Sequence, residues 1–260
     1  MIIGNPTGGA SGTDGYSLSM TNVLRGLTPV ITNPGVDQTP LNITNPDHSL
    51  VYTCGTDPGD FEISFGAQTG ISYVGLSGHT AATLSPANIS VFNGVTQIHT
   101  TQVSRNHNLM FSFDPVDFTD LIIKITTVPS TYQTTISYIA AGERLLFTTG
   151  EQAGYMRNWL LRPYTQATST NLQTAPIGIT QRSKALTGNI SFPNSAILTS
   201  RDFWQTFEDF SYSEPFFINE VTSLPESSYL AFNPKHSINA HPQTRALDVI
   251  KMKFNCFNGL

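Results

Sequence analysis

Between Phe61 and Thr126 the chain reads FEISFGAQTGISYVGLSGHT, then ANISVFNG, NLMFSFDP and FTDLIIKITT, a run of short apolar segments broken by Gly, Asn, Asp and Pro. Phe61, Ile63 and Phe65 alternate with Glu62 and Ser64, and Leu109, Phe111 and Phe113 alternate with Met110 and Ser112. A period of two puts alternate side chains on opposite sides of an extended backbone, so each segment is expected to be a strand with one buried face. Such a face is satisfied only when a second sheet covers it, which predicts an all-β chain built on a β-sandwich or jelly roll.

The punctuation around these segments sets the expected organisation. Pro29, Pro34, Pro40 and Pro46 mark a looped passage, after which Leu50–Cys54 begins the first clear strand. Asn93-Gly94 predicts a hairpin between Asn88–Phe92 and Thr96–Val103. Asp114-Pro115 predicts a turn into Leu121–Thr126, and Thr134–Ala140 a closing strand. The pattern restarts at Ala141-Gly142-Glu143. Residues 1–48 are therefore expected to be an extended arm and looped entry, 49–141 the sandwich, and 142–260 a second β-rich domain.

In that second part Leu145, Phe147, Arg157–Leu161, Lys184–Phe192, Tyr229–Phe232 and Leu247–Phe254 read as strands, with a loop from Tyr164 to Pro176. One helix is expected near 201–210. Thr199-Ser200 supply a cap, Asp202 sits at the positive end of the dipole, and Phe203, Trp204, Phe207 and Phe210 recur at helical spacing. Pro215 stops it, and Phe216-Phe217-Ile218 starts a strand at once. The spacing of Leu18, Met20, Val23, Leu24 and Leu27 fits a helical turn as well as a strand.

Only 12% of the residues are charged and the formal net charge is -5, with no basic stripe. Phosphate-backbone binding needs clustered Lys and Arg, so no nucleic-acid partner is expected. A surface poor in charge suits burial against other protein, although small polar residues also make an ordinary solvated surface. Cys54 and Cys256 lie in different halves without metal-like spacing and read as free thiols. No run approaches the roughly 18 apolar residues of a membrane helix, and the first residues carry neither a basic nor an apolar signal region, so no membrane insertion and synthesis in a cytoplasm are expected.

Chemistry is hard to find. Gly75-Leu76-Ser77-Gly78-His79 invites comparison with a nucleophile elbow, but the second Gly comes one place early and no helix follows. Asp57 and Asp60 in Gly-Thr-Asp-Pro-Gly-Asp suit calcium or an ordinary turn, as do Asp114, Asp117 and Asp120. His236 and His241 lack a third ligand. Trp159, Tyr164, Trp204 and Tyr212 suit sugar stacking or, more simply, a core. No catalytic residue, metal or cofactor is expected. The loops around Asp57 and Asp60, His79, and Arg105 to His107 are the candidate ligand loops.

The order Ile71–Thr80, then Ala87-Asn-Ile-Ser-Val-Phe-Asn-Gly94, then Phe118-Thr-Asp-Leu-Ile-Ile-Lys-Ile-Thr126 resembles the galactose-binding-like jelly rolls. It resembles especially those of tailed-bacteriophage virion proteins, with Thr80 standing where Asn is common. Ala185–Phe192, followed by Ser200–Trp204 and Glu214-Pro215-Phe216-Phe217, resembles the distal-tail and tail-tip β-domains. The resemblance implies a virion component of the tail tip or baseplate that forms a homo-oligomeric ring with other phage tail proteins. A second expectation, from another class, is a carbohydrate- or receptor-binding module meeting a host-surface glycan. A depolymerase or hydrolase comes third, since it needs paired acids in a groove and the sequence places none.

Overall fold

The computed structural model describes residues 16–32, 39–47, 49–54, 60–126, 133–147, 165–168, 176–180, 185–193, 201–239 and 249–257. Its first strands are β1 (Tyr16–Ser19), β2 (Val30–Ile31), β3 (Tyr52–Thr53), β4 (Asp60–Ser64), β5 (Gln68–Ser77) and β6 (Ala87–Asn93). Then come β7 (Thr96–Val103), β8 (Leu109–Phe118), β9 (Leu121–Thr126), β10 (Thr135–Ile136), β11 (Tyr138–Gly142) and β12 (Arg144–Phe147). The rest are β13 (Thr165–Thr168), β14 (Pro176–Thr180), β15 (Ala185–Pro193), β16 (Phe216–Asn219), β17 (Ser228–Asn239) and β18 (Val249–Phe257), with the helix α1 at Arg201–Ser213.

The period-two segments form a β-sandwich. One sheet has the order β2-β4-β9-β6-β7 and the other β11-β5-β8, all antiparallel, with β3 and β10 making a short ribbon beside them. Phe61, Ile63, Ile89, Val91, Ile123 and Ile125 project from the larger sheet against Val74, Leu76, Leu109, Phe111 and Ile139 of the smaller one. This is the all-β sandwich that the alternation required.

The smaller sheet is covered on its other face as well. Tyr73, Met110, Tyr138 and Ala140 pack there against Phe217 and Leu230 of a six-stranded sheet, β12-β1-β16-β17-β18-β15. That sheet puts Tyr16, Leu18, Phe216, Ile218, Tyr229, Ala231 and Phe254 on its far face, where Phe207 of α1 closes the stack. The layers run sheet, sheet, sheet, helix. A sheet covered on both faces has no use for alternation, which explains why Ile71-Ser72-Tyr73-Val74-Gly75-Leu76-Ser77 is buried without a break. It also explains Met110: the sequence assigned it to an open face, yet it is fully buried. At Gly75 the layers come so close that a Cβ there would overlap the Phe217 ring. That ring lies parallel to Tyr138 at 6.2 Å and 5°.

Two other sequence expectations change. β8 does not turn at Asp114-Pro115 but runs on to Phe118, with its pairing to β5 slipping between Ser112 and Val116. Pro lacks the N–H of a regular ladder position and is tolerated at such an irregularity. The turn falls instead at Thr119-Asp120. Tyr16–Ser19, open between helix and strand, is a strand, held between β12 and β16. Thr165–Thr168 pairs with Pro176–Thr180 inside the stretch expected to be a loop. The helix forms as its spacing predicted and extends to Ser213, with Phe207 edge-on to Phe216 at 5.1 Å. Arg157–Leu161, Trp159, Tyr164 and His241 lie outside the described residues.

Candidate functional site

The strand registers decide where the loops meet. In the larger sheet Asp60 and Asn88 both face Thr126, and Ala87 faces Val103. In the smaller sheet Leu76 faces Leu109, and Ser77 faces Tyr138. Short links join these ends: 78–86 carries β5 to β6 and 104–108 carries β7 to β8. The links from β3 to β4 and from β9 to β10 leave from the same end. The loops around His79 and around Arg105 to His107, two of the three singled out in sequence, therefore converge on one end of the sandwich, where Asp60 also opens β4.

The opposite end is closed by tight turns. Ser64 Oγ (2.6 Å) and the Gly66 amide (3.0 Å) both donate to Asp120 Oδ1. The Gly70 amide donates to Asp117 Oδ1 at 2.8 Å, and the Thr119 amide to Asn93 Oδ1 at 2.8 Å. Asp117 and Asp120, weighed as calcium ligands, thus cap turns. Among the described residues no group of three or more His, Cys, Asp or Glu is arranged to hold a metal.

At the loop end Gly78 takes φ +62, and its turn drives the next side chain inward. His79 is completely buried, and its Nε2 donates to the His107 carbonyl at 2.7 Å. That leaves Nδ1 as the bare nitrogen, buried without a partner among the described residues. Burial pushes the imidazole down to about 4, the bond to the His107 carbonyl opposing this and the nearby His107 side chain adding to it, so the ring is neutral at physiological pH. Ser77 Oγ donates to Asn108 Oδ1 at 2.8 Å, in the core. Ser77 and His79 each bond elsewhere and do not form a nucleophile–base pair.

Around His79 the loops are stapled together. Asn106 Oδ1 accepts the Ala82 amide at 2.9 Å, and Asn106 Nδ2 donates to Thr83 Oγ1 at 2.8 Å. The Thr135 amide donates to Thr80 Oγ1 at 2.9 Å, and the Thr80 amide to the Thr135 carbonyl at 3.1 Å. Leu84 follows one side of the Asn106 staple and Arg105 precedes the other, so the two flank it. Both are exposed, Leu84 by 61%. His107 is half-buried beside them. Of the expected ligand residues, Arg105 and His107 reach the surface here, His79 supports the loops from below, and Asp60 opens β4 at the same end; Asp57 lies outside the described residues. Sequence reasoning missed Leu84. The signal for Leu84 was an isolated apolar residue in the polar run Ala82-Thr-Leu-Ser-Pro86, with no period to bury it.

This patch combines a planar guanidinium with several N–H donors, small hydroxyls and one apolar side chain on a backbone already locked by hydrogen bonds. It can donate to vicinal oxygens and cover a small apolar surface.

No family model matches the chain, and no curated protein matches it. Among solved structures it is similar to a Streptococcus pneumoniae fucose binding module, at 12% identity over 47% of this chain and 94% of that one, with a TM-score of 0.38. It is also similar to the lectin domain of lectinolysin complexed with Lewis B antigen, at 12% identity over 50% and 98% of the two chains and a TM-score of 0.36. A third similar structure is chitosan-binding module 1 from a chitosanase/glucanase of Paenibacillus sp. IK-5, at 16% identity over 47% and 99% and a TM-score of 0.35.

Proposed function

We propose that this protein is a non-enzymatic binding protein whose sandwich takes a carbohydrate at the end where loops 78–86 and 104–108 meet. The observation that carries this reading is the convergence there of the inter-sheet loops, with Arg105 and Leu84 exposed over a hydrogen-bonded base. Sugars offer neighbouring hydroxyls on one edge and C–H groups on a face. Arg105 suits the first and Leu84 the second. Arg105→Ala and Leu84→Asp lie on the surface, so each leaves the melting temperature within about 2 °C of the parent, since exposed substitutions cost under about 0.5 kcal/mol. Each reduces glycan-array signal at least about tenfold, Arg105→Ala through the loss of a charged hydrogen bond and Leu84→Asp through the loss of apolar cover. An array blank for the parent chain, with and without calcium, defeats the reading.

A second reading is assembly into a tailed-phage tail tip or baseplate. It rests on the sequence resemblance of Ala185–Phe192, Ser200–Trp204 and Glu214–Phe217 to distal-tail β-domains. Co-assembly of the purified chain with tail-tube protein, seen by sedimentation, supports it; failure to associate with any tail component counts against it.

A further inference from the structure

Sheet edges carry unpaired backbone donors and acceptors, and natural proteins guard them with charge, proline, brevity or a covering segment. Most edges near the sandwich follow that rule. β11 is flanked by residues 20–23, with the Met20 amide donating to the Glu143 carbonyl at 2.8 Å and the Val23 amide to the Ala141 carbonyl at 2.9 Å. β8 receives the Pro225 carbonyl on the Met110 amide at 3.0 Å. β2, the far edge of the five-stranded sheet, is two residues long.

β7 is different. It is eight residues, Thr96-Gln-Ile-His-Thr-Thr-Gln-Val103, with no Lys, Arg, Asp, Glu or Pro. It pairs with β6 alone, and among the described residues no backbone group outside β6 bonds to it, the His99 ring bonding the neighbouring Thr100 backbone. Its one irregularity is a slip in register opposite Val91/Phe92, which sets Ile98 out of line. Beyond it, His99 to Val103 run regularly against Val91 to Ala87. Thr100 and Gln102 share the outer face with Ser90 and Asn88, the Thr100 and Ser90 hydroxyls lying 2.7 Å apart.

We propose that β7 is a self-association edge: two copies pair residues 99–103 antiparallel about a two-fold axis at Thr101, joining their five-stranded sheets. The occupant is a second copy because the segment is complementary to itself. Folding it about Thr101 sets His99 against Val103 on the core side and Thr100 against Gln102 on the outer side, with no charge anywhere to repel its own image. Like charges placed directly opposite on neighbouring strands destabilise the pairing, and opposite charges support it. A pairing of five residues is small, so the dimer is weak and reversible.

Sedimentation equilibrium of the full chain from micromolar to near-millimolar concentration tests this. The expected result is a monomer–dimer equilibrium. The double variant Thr100→Lys/Gln102→Lys sets Lys opposite Lys twice and weakens it at least about tenfold. Mixing that variant with Thr100→Glu/Gln102→Glu restores a heterodimer, which also shows that both variants are folded. Four results overturn the proposal: a parent chain that stays monomeric throughout the range, association that the Lys variant leaves intact, open-ended aggregation in place of a dimer, or a Lys and Glu mixture that fails to associate.

Discussion

His79 shows how much one residue's direction matters. As the sequence reads, it follows Gly78 in a polar turn and belongs with surface loops; the turn at Gly78 instead points it under them. Sequence periodicity cannot report this, because the cause is one positive φ, and a Cβ at Gly78 would overlap the Ser137 hydroxyl. The consequence is measurable. Burial holds the folded-state pKa near 4 against 6.5 for the free imidazole, so between those values the unfolded chain binds the extra proton. The stability owed to the neutral ring is complete above pH 6.5, drains as pH falls, and is exhausted near pH 4, a loss of about 3 kcal/mol. Ring-proton NMR is expected to show His79 titrating near pH 4. A His79→Asn variant is expected to lose less stability than the parent over the same interval in urea titrations. A ring that titrates near 6.5 contradicts the buried placement.

At the scale of elements, strict alternation was read in β4 and β8, and it described β4 correctly but misplaced Met110 of β8, whose sheet is covered on both faces. Phe61, Ile63 and Phe65 announce β4, and Leu121, Ile123 and Ile125 announce β9, because each alternates with residues that remain accessible. β5 and β11 gave weaker signals because both of their faces are covered, and two-sided burial erases the period. Pro115 misled for a different reason: proline marks a turn wherever regular pairing is required, whereas β8 accommodates it where the pairing slips. The loop positions were legible from Gly, Asn and Pro, but their convergence was not, since it depends on pairings such as Asn88 with Thr126. The real turn depends on Asp120, whose Oδ1 accepts two hydrogen bonds across the β4–β5 and β8–β9 connections. Asp120→Ala is expected to lower the urea midpoint by an amount equivalent to about 2 kcal/mol, the cost of removing a charged acceptor from two donors. It leaves glycan binding unchanged, because it lies at the other end of the sandwich. An unaltered midpoint shows that these bonds are replaced by water at no cost.

For the whole molecule, the main fact is that the central three-stranded sheet serves two cores at once. A chain cut to residues 20–142 keeps the sandwich strands but uncovers Tyr73, Met110, Tyr138 and Ala140. Such a piece is expected to bind the dye ANS and to aggregate, and Tyr73→Ser/Met110→Ser is expected to reduce both effects; a truncated chain that stays monomeric and dark to the dye shows that the sheets separate freely. The six-stranded sheet has a further implication for synthesis. β1 leaves the ribosome long before its partner strand, since the Ser19 hydroxyl meets the Phe217 amide 198 residues later. The sandwich can close while translation is under way, whereas Tyr16–Ser19 must wait, unpaired on its β16 side, until Phe216–Asn219 has emerged.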